Sequence, residues 1–255
     1  MMVEEYFGNW KTVVPIDQIE GIIKVAYRSF KPVCPMLRDV FKAFKVCPYN
    51  NLKVVVIGQD CYPDIRDRKP VATGIAFANR IETPEHEYSP SLKVLMESFI
   101  DFSVPHSFIT FDPSLEEISR QGVLMINTAL TCEVNRPGSH MLLWRPFIKQ
   151  LLTNLSRHKT GIVYVLLGSE AQSFKDCIDS RYNYILCDKH PAYYARKNMP
   201  MPPGIWKTVN DIIKSINGKE EQIKWFKEES PFGEGQCEEE GTKEQESEER
   251  DTHVL

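Results

Sequence analysis

Short apolar runs alternate with longer amphipathic segments along most of this chain. Four runs have the continuous apolar character of strands buried on both faces, at residues 54–57, 123–126, 162–167 and 184–187. Between them, apolar residues recur at spacings of three and four, which is typical of helices that cover a core with one face. The alternation predicts an α/β fold of three layers, α/β/α, with a central, mostly parallel four-stranded sheet.

The helical spacing is clearest before the first strand and after the second. Apolar residues at helical spacing predict helices over 19–30, 36–44, 144–155, 171–178 and 206–216. Ser91 precedes Leu92, Leu95 and Phe99, so we predict that it caps the N-terminus of a further helix.

Polar side chains follow the predicted strands at the points where the strands end. Asp60 comes soon after the first strand, Asn127 directly after the second and His190 shortly after the fourth. The carboxyl ends of parallel strands share one edge, where ligands bind in open α/β sheets. A carboxylate, a carboxamide and an imidazole can position water, read a polar ring and stabilise a developing anion. With Phe77 as a flat apolar wall, the set suits a heteroaromatic base.

Composition separates a folded body from an acidic C-terminal segment. Residues 228–255 hold eleven acidic residues against Lys243 and Arg250, and we predict that they form a disordered tail after one domain of residues 1–227. Removing the segment's charge of −9 from the net charge of −4 leaves about +5 on residues 1–227. The mildly basic body permits a polyanionic partner without demanding one.

Cysteine usage and hydropathy narrow the class of protein further. The seven cysteines are scattered without a Cys-x-x-Cys pair, so we predict neither a metal site nor a disulfide framework. No apolar run approaches the length of about 20 residues that a membrane span needs, and no N-terminal apolar stretch follows a basic flank. We expect a soluble, intracellular monomer, cytoplasmic in a prokaryote or phage and nuclear in a eukaryote.

Six stretches resemble, in order, the motifs of family-1 uracil-DNA glycosylases. Residues 58–62 resemble the family's Gly-Gln-Asp-Pro-Tyr-His, and residues 74–77 resemble its Gly-Leu-Ala-Phe segment. Residues 121–131 read Gln-Gly-Val-Leu-Met-Ile-Asn-Thr-Ala-Leu-Thr, close to the family's Gln-Gly-Val-Leu-Leu-Leu-Asn-x-x-Leu-Thr. Residues 138–140, 168–172 and 190–191 follow at the family's approximate spacing. The resemblance spans roughly Pro35 to Trp225.

The resemblance implies a DNA repair enzyme that flips uracil out of DNA and hydrolyses its N-glycosidic bond. It implies that Asp60 positions the attacking water, and that His190, as a neutral donor, stabilises the uracil anion. The substrate-binding residues it implies are Gln59, Tyr62, Phe77 and Asn127. Among them, Phe77 stacks on uracil, Asn127 bonds its edge, and Tyr62 excludes the methyl group of thymine. No metal or cofactor is implied.

The resemblance also implies partners and the residues that touch them. The substrate is uracil-containing single- and double-stranded DNA, and a proteinaceous, DNA-mimicking inhibitor is a further candidate partner. The DNA-binding residues we predict are Ser91, Ser169, Pro191, Tyr194, Arg196 and Lys197. Arg196 and Lys197 belong with Arg66, Arg68 and Lys69 to a set of basic side chains that form either an ordinary solvated face or a rim that contacts phosphates. Tyr194 stands where the family has a leucine that wedges into the duplex.

The chain departs from the family's motifs at several positions. Pro63 replaces the histidine that ends the first motif, and Ala192 and Ala195 replace two serines near His190. The loop over residues 63–73 is about four residues longer than usual and carries Arg66, Arg68 and Lys69. A non-catalytic DNA-binding or replication-accessory homologue and a glycosylase of shifted specificity therefore stay open beside the uracil-DNA glycosylase.

Overall fold

The structure, a computed structural model, describes residues 3–28, 31–100 and 109–228. Except for Glu228, whose backbone pairs with Ile109, the predicted acidic tail lies outside the described residues. Phe30, at the end of the first predicted helix, also lies outside them. In these ranges, no helix is both long and apolar enough to cross a bilayer.

Helices and short strands alternate along the described residues. The helices are α1 (Val3–Phe7), α2 (Ile16–Ala26), α3 (Lys42–Val46), α4 (Pro90–Phe99), α5 (Glu116–Arg120), α6 (Met141–His158), α7 (Ser169–Gln172), α8 (Pro191–Lys197) and α9 (Gly204–Asn217). The strands are β1 (Val33–Cys34), β2 (Val54–Asp60), β3 (Ile65–Arg66), β4 (Lys69–Pro70), β5 (Ile109–Thr110), β6 (Val123–Ala129), β7 (Cys132–Glu133), β8 (Val163–Leu167), β9 (Tyr184–Asp188) and β10 (Lys227–Glu228).

A four-stranded parallel sheet forms the centre of the protein, in the order β6-β2-β8-β9. Strands β6 and β8 are buried along their whole length, and β2 is buried until its last two residues. Burial on both faces requires a layer of helices on each side. The predicted three-layer α/β/α fold is confirmed.

The two inner strands run further than their apolar runs. Strand β2 continues through Gly58 and Gln59 to Asp60, and β6 continues past Asn127 to Ala129. Asn127 lies beside Gly58 and Ala129 beside Asp60 in the parallel register. The backbone ladder therefore carries the polar positions, which hydropathy alone does not assign to strands.

Several predicted helices differ in extent. Residues 36–44 form a 3₁₀ turn over Leu37–Asp39 followed by the short α3, because Phe41, at φ −109° and ψ 20°, is not helical. The predicted helix over 171–178 is also divided, into α7 and a 3₁₀ turn over Lys175–Cys177. The N-cap of α4 is Ser89 and not Ser91, since Pro90 already occupies the first helical position.

Candidate active site

One cavity lies at the carboxyl edge of the sheet and brings five of the predicted site residues together. Its walls are formed by Val40, Asp60, Cys61, Tyr62, Ala72, Gly74, Ile75, Phe77, Asn127, Leu130 and His190. The strands β2 and β6 deliver the carboxylate and the amide, and the end of β9 leads to the imidazole. The predicted convergence at one sheet edge therefore occurs in the structure.

Asp60 ends β2 with its carboxylate fixed by the backbone of the loop after β7. Its Oδ2 accepts a hydrogen bond from the Gly138 amide at 2.5 Å. Burial raises the pKa of the Asp60 carboxyl, and the hydrogen bond from Gly138 opposes this by stabilising the charged form. A carboxylate has about four lone-pair sites, so Asp60 can accept its backbone hydrogen bonds and still accept from water.

Asn127 lines the cavity with an amide that has no hydrogen-bond partner among the described residues. The residue is 7% exposed, and in the described part of the chain no hydrogen bond reaches its side chain. Gly58 makes the room for it, because a Cβ on Gly58 would lie 2.5 Å from Asn127 Oδ1 and 2.7 Å from Phe77 Cζ. An amide kept open in this way offers one donor and one acceptor to a ligand.

His190 is a neutral imidazole with a defined tautomer. Its Nδ1 accepts from the Ala192 amide at 3.1 Å as the N-cap of α8, so the ring proton lies on Nε2. Burial lowers the pKa of His190 to about 4, and the positive charge of Arg196 adds to this shift. Gly168, at φ +94°, lets the backbone pass close by, since a Cβ there would lie 2.9 Å from His190 Cβ.

Two aromatic side chains complete the walls. Phe77 has a φ of +66°, an uncommon backbone conformation for a bulky residue, and its ring centroid lies 5.5 Å from that of His190. The Tyr62 hydroxyl donates to the Phe77 carbonyl at 3.0 Å. This bond holds the phenol against the segment that carries Phe77. Burial raises the pKa of Tyr62, so the phenol stays neutral. The rings form apolar walls beside the polar groups.

The other predicted site residues lie around this cavity or away from it. Gln59 contributes its backbone carbonyl, which accepts from Thr128 Oγ1 at 2.6 Å, and its side chain is not part of the cavity wall. Ser91 is buried in the first turn of α4, whereas Ser169 is exposed at the start of α7. The remaining positions lie on α8, where Pro191 is buried and Arg196 and Lys197 are exposed.

Tyr194 does not stand at the surface, where a duplex-wedging residue is expected. The residue is 7% exposed, and its hydroxyl donates to Asp188 Oδ1 at 2.7 Å. Pro191 and Tyr194 share the buried face of α8 because they are three residues apart. The ring next to it, Tyr193, is half-buried, with Lys189 Nζ 4.3 Å from its centroid. In this structure Tyr194 joins β9 to α8, and its contact with the duplex stays a prediction.

Sequence reasoning gave no role to Gly138 and Asp188, the partners of Asp60 and Tyr194. Gly138 lies in one of the motifs that carry the resemblance, which was the available signal for its role. No sequence motif indicated a role for Asp188. Only the fold brings this last residue of β9 against the Tyr194 side chain of α8.

A family model described as the uracil DNA glycosylase superfamily matches residues 44–213. Among curated relatives, the uracil-DNA glycosylase of Coxiella burnetii (strain RSA 493 / Nine Mile phase I) is 33% identical over 196 residues, covering 72% of this chain and 80% of the relative. That of Fusobacterium nucleatum is 29% identical over 228 residues, covering 86% and 95%.

Solved structures carry the same fold at lower identity. The crystal structure of mimivirus uracil-DNA glycosylase is similar with a TM-score of 0.66 and 22% identity, covering 88% of this chain and 91% of that one. A tyrosine-to-leucine variant of the mimivirus protein in complex with UGI reaches a TM-score of 0.71 at 23% identity, covering 88% of both chains.

Proposed function

The chain belongs to the uracil DNA glycosylase superfamily, and from that premise we propose that it is a monofunctional uracil-DNA glycosylase of DNA repair. It takes a uracil nucleotide out of the base stack and hydrolyses its N-glycosidic bond, leaving free uracil and an abasic site. The observation that carries this proposal is the convergence of Asp60, Phe77, Asn127 and His190 on one cavity. Membership of family 1 within the superfamily stays a prediction.

Base recognition is the task of Asn127 and Phe77. In one orientation the amide of Asn127 accepts from N3–H and donates to O4 of uracil. Cytosine reverses this donor pattern and is left unpaired as long as the amide keeps that orientation. An unpaired buried polar group costs on the order of 1–3 kcal/mol, which is enough to favour one base over the other. Phe77 stacks on the flat face of the ring. The neutral phenol of Tyr62 fills the space that the methyl group of thymine would need.

The chemical step divides between Asp60 and His190. As the bond between C1′ and N1 breaks, its electron pair stays on uracil, and the Nε2 proton of His190 stabilises the anion by hydrogen bonding to O2. The Asp60 carboxylate orients a water toward C1′, whose charge in the oxocarbenium-like state the carboxylate also balances. Water supplies the hydroxyl group at C1′ and the proton for the departing uracil.

The substrate is DNA in either strand state. Extrusion of a base costs a few kcal/mol and least when the base is unpaired, so single-stranded uracil DNA is accepted readily. Ser169, Arg196 and Lys197 are exposed beside the site and contact phosphates. Ser91 and Pro191, which were also predicted to bind DNA, are buried in the free protein, and their contact with DNA stays a prediction. A DNA-mimicking inhibitor protein would compete for the same surface, since a variant of the mimivirus relative is known in complex with UGI.

Release of uracil from a uracil-containing oligonucleotide tests the proposal, with alkaline cleavage to detect abasic sites. We expect Asp60→Asn and His190→Ala to lower kcat by about 10²–10⁴-fold, the usual contribution of a positioned acid–base group. Lys24→Gln, an exposed change on α2, is the control and should leave the rate unchanged. A folded wild-type protein that binds DNA but releases no uracil would favour the non-catalytic alternative.

A further inference from the structure

A small β-hairpin stands at the rim of the candidate active site. Strands β3 and β4 pair antiparallel, and Arg66 lies opposite Lys69. The two residues between them, Asp67 and Arg68, have φ of +48° and +61°. Positive φ at both central positions is the signature of a type I′ turn, the tight connection that matches the twist of a hairpin.

Both ends of the hairpin join the cavity wall directly. Tyr62 precedes it and Ala72 follows it, and both line the cavity. The Val71 amide closes its base by donating to the Asp64 carbonyl at 2.9 Å. Three residues from base to tip span about 10 Å in extended conformation. A DNA strand carries one phosphate per about 3.4 Å of helix axis, so the phosphates that flank a base bound in the cavity lie within reach of the tip.

Side-chain contacts fix the direction in which the hairpin projects. Arg66 donates to the Glu87 carbonyl at 2.8 Å and forms an ion pair with the Glu87 carboxylate at 3.2 Å. On the other strand, the Pro70 carbonyl accepts from Arg80 Nε at 3.1 Å. The charge of Arg66 is therefore used within the protein, and the hairpin is held at both strands.

The tip carries two cations that have no ion-pair partner in the part of the chain that the structure describes. Arg68 and Lys69 are exposed, and neither forms an ion pair with another described residue. Asp67 places one negative charge beside them. Aspartate is among the residues favoured at a type I′ position, so the turn itself accounts for its presence.

We propose that this hairpin is a DNA-backbone contact, in which Arg68 and Lys69 bind the phosphates that flank the extruded nucleotide. The inference rests on the proposed function, because it takes DNA as the occupant of the cavity. Phosphate contacts position the strand without reading its sequence. The hairpin therefore contributes affinity and salt dependence, whereas base choice stays with the cavity.

Two variants, one that removes positive charge and one that removes negative charge, test the contact while keeping the hairpin. Arg68→Asn combined with Lys69→Gln removes both cations, and asparagine tolerates the positive φ at the turn. Asp67→Asn removes the anion at the other turn position. Binding is measured by fluorescence anisotropy on a single-stranded oligonucleotide without uracil, across a salt series, so the readout does not depend on catalysis.

The two variants should move the affinity in opposite directions. For the double variant we expect Kd at low salt to rise on the order of tenfold, and the slope of log K against log salt to fall by about 1.4, near 0.7 per lost contact. Asp67→Asn should lower Kd about twofold. In uracil release from a matching uracil oligonucleotide, the double variant should raise KM and leave kcat near the wild-type value.

A matched control removes one arginine and one lysine at the opposite edge of the sheet. Arg157 lies in the last turn of α6, which precedes β8, and Lys219 lies near Glu221, which pairs with Lys53 before β2. Arg157→Gln with Lys219→Gln should keep the wild-type slope.

A slope equal in the two double variants, or a shift of Kd in the same direction for Asp67→Asn and the hairpin double variant, would overturn the hairpin contact. Absence of uracil release from wild type contradicts only the proposed function, because the anisotropy result stands apart from it.

Discussion

At the scale of single residues, His190 shows how the fold sets a protonation state. The Ala192 amide occupies Nδ1, and burial lowers the pKa to about 4, so the ring is a neutral Nε2 donor across the physiological range. A charged imidazolium is not needed for the proposed chemistry. The neutral ring stabilises an anion by hydrogen bonding alone.

Acid should destabilise the protein in part through His190. The unfolded chain binds a proton near the ordinary pKa of about 6.5, whereas the native ring resists protonation until about pH 4. His190 therefore does not lower the free energy of unfolding above pH 6.5. As the pH falls toward 4, this one group lowers the free energy of unfolding by at most about 3 kcal/mol. Urea unfolding at about pH 7 and about pH 4.5 measures the loss.

The comparison with His190→Asn isolates the contribution of this ring. Asparagine keeps an acceptor for the N-terminus of α8 but does not titrate. We expect the variant to lose less unfolding free energy than wild type between the two pH values. An equal loss in both proteins would show that His190 is not protonated more readily in the unfolded chain.

At the scale of elements, the hydrogen bond from Tyr194 to Asp188 closes the junction between β9 and α8. His190 lies between the two partners in sequence, so the bond limits the movement of the loop that carries the imidazole. Burial and the neighbouring Asp188 charge raise the pKa of Tyr194 to about 12, which keeps the hydroxyl protonated as a donor. Tyr194 is therefore a positioning residue.

Tyr194→Phe should lower stability and kcat together. The lost bond to a carboxylate is worth about 1.5–3 kcal/mol, and looser placement of His190 should lower kcat several-fold with little change in KM. Tyr193→Phe is the matched control, because that hydroxyl bonds only the exposed Lys189 at 3.2 Å among the described residues. Equal effects of the two changes on kcat would contradict a positioning role for Tyr194.

A comparison of the predicted and observed elements shows which features the sequence could predict. Apolar runs predicted all four central strands, and β2, β6 and β8 are buried as such runs imply. The outer strand β9 differs, because Tyr184 and Cys187 are exposed. Their polar ends, such as Asn127 within β6, follow from the backbone register, which hydropathy does not contain. The convergence of Asp60, Asn127 and His190 was predictable once the strands were, because the carboxyl ends of parallel strands share one edge of the sheet. The inward direction of Tyr194 depends on how α8 docks, and adjacent tyrosines carry no such information.

At the scale of the whole molecule, the charge is divided between body and C-terminal segment. The body carries about +5 and residues 228–255 carry −9 by sequence. Charges of opposite sign on one chain compete with an external polyanion at low ionic strength, and salt screens that competition over about 10 Å at 0.1 M. The acidic segment should therefore weaken DNA binding through long-range repulsion of the phosphates.

Neutralising part of that segment in the full chain tests the effect. Replacing Glu238, Glu239 and Glu240 by glutamine should tighten DNA binding by a few-fold at low salt and leave it unchanged near 1 M salt, where screening reaches about 3 Å. The same three changes to aspartate keep the charge and serve as the control. Tighter binding in both variants would point to a specific contact of these side chains in place of long-range electrostatics.

The unpaired amide of Asn127 bears on how this protein can be engineered. The amide of Asn127 faces the cavity and forms no hydrogen bond with another described residue, so it adds little to the stability of the empty protein, whereas an apolar side chain of similar size would gain by packing there. Selection for heat resistance alone would thus favour replacing Asn127 and would yield a sturdier protein blind to uracil. Screens for thermostable variants must score base excision alongside melting, because at this position the two properties trade against each other.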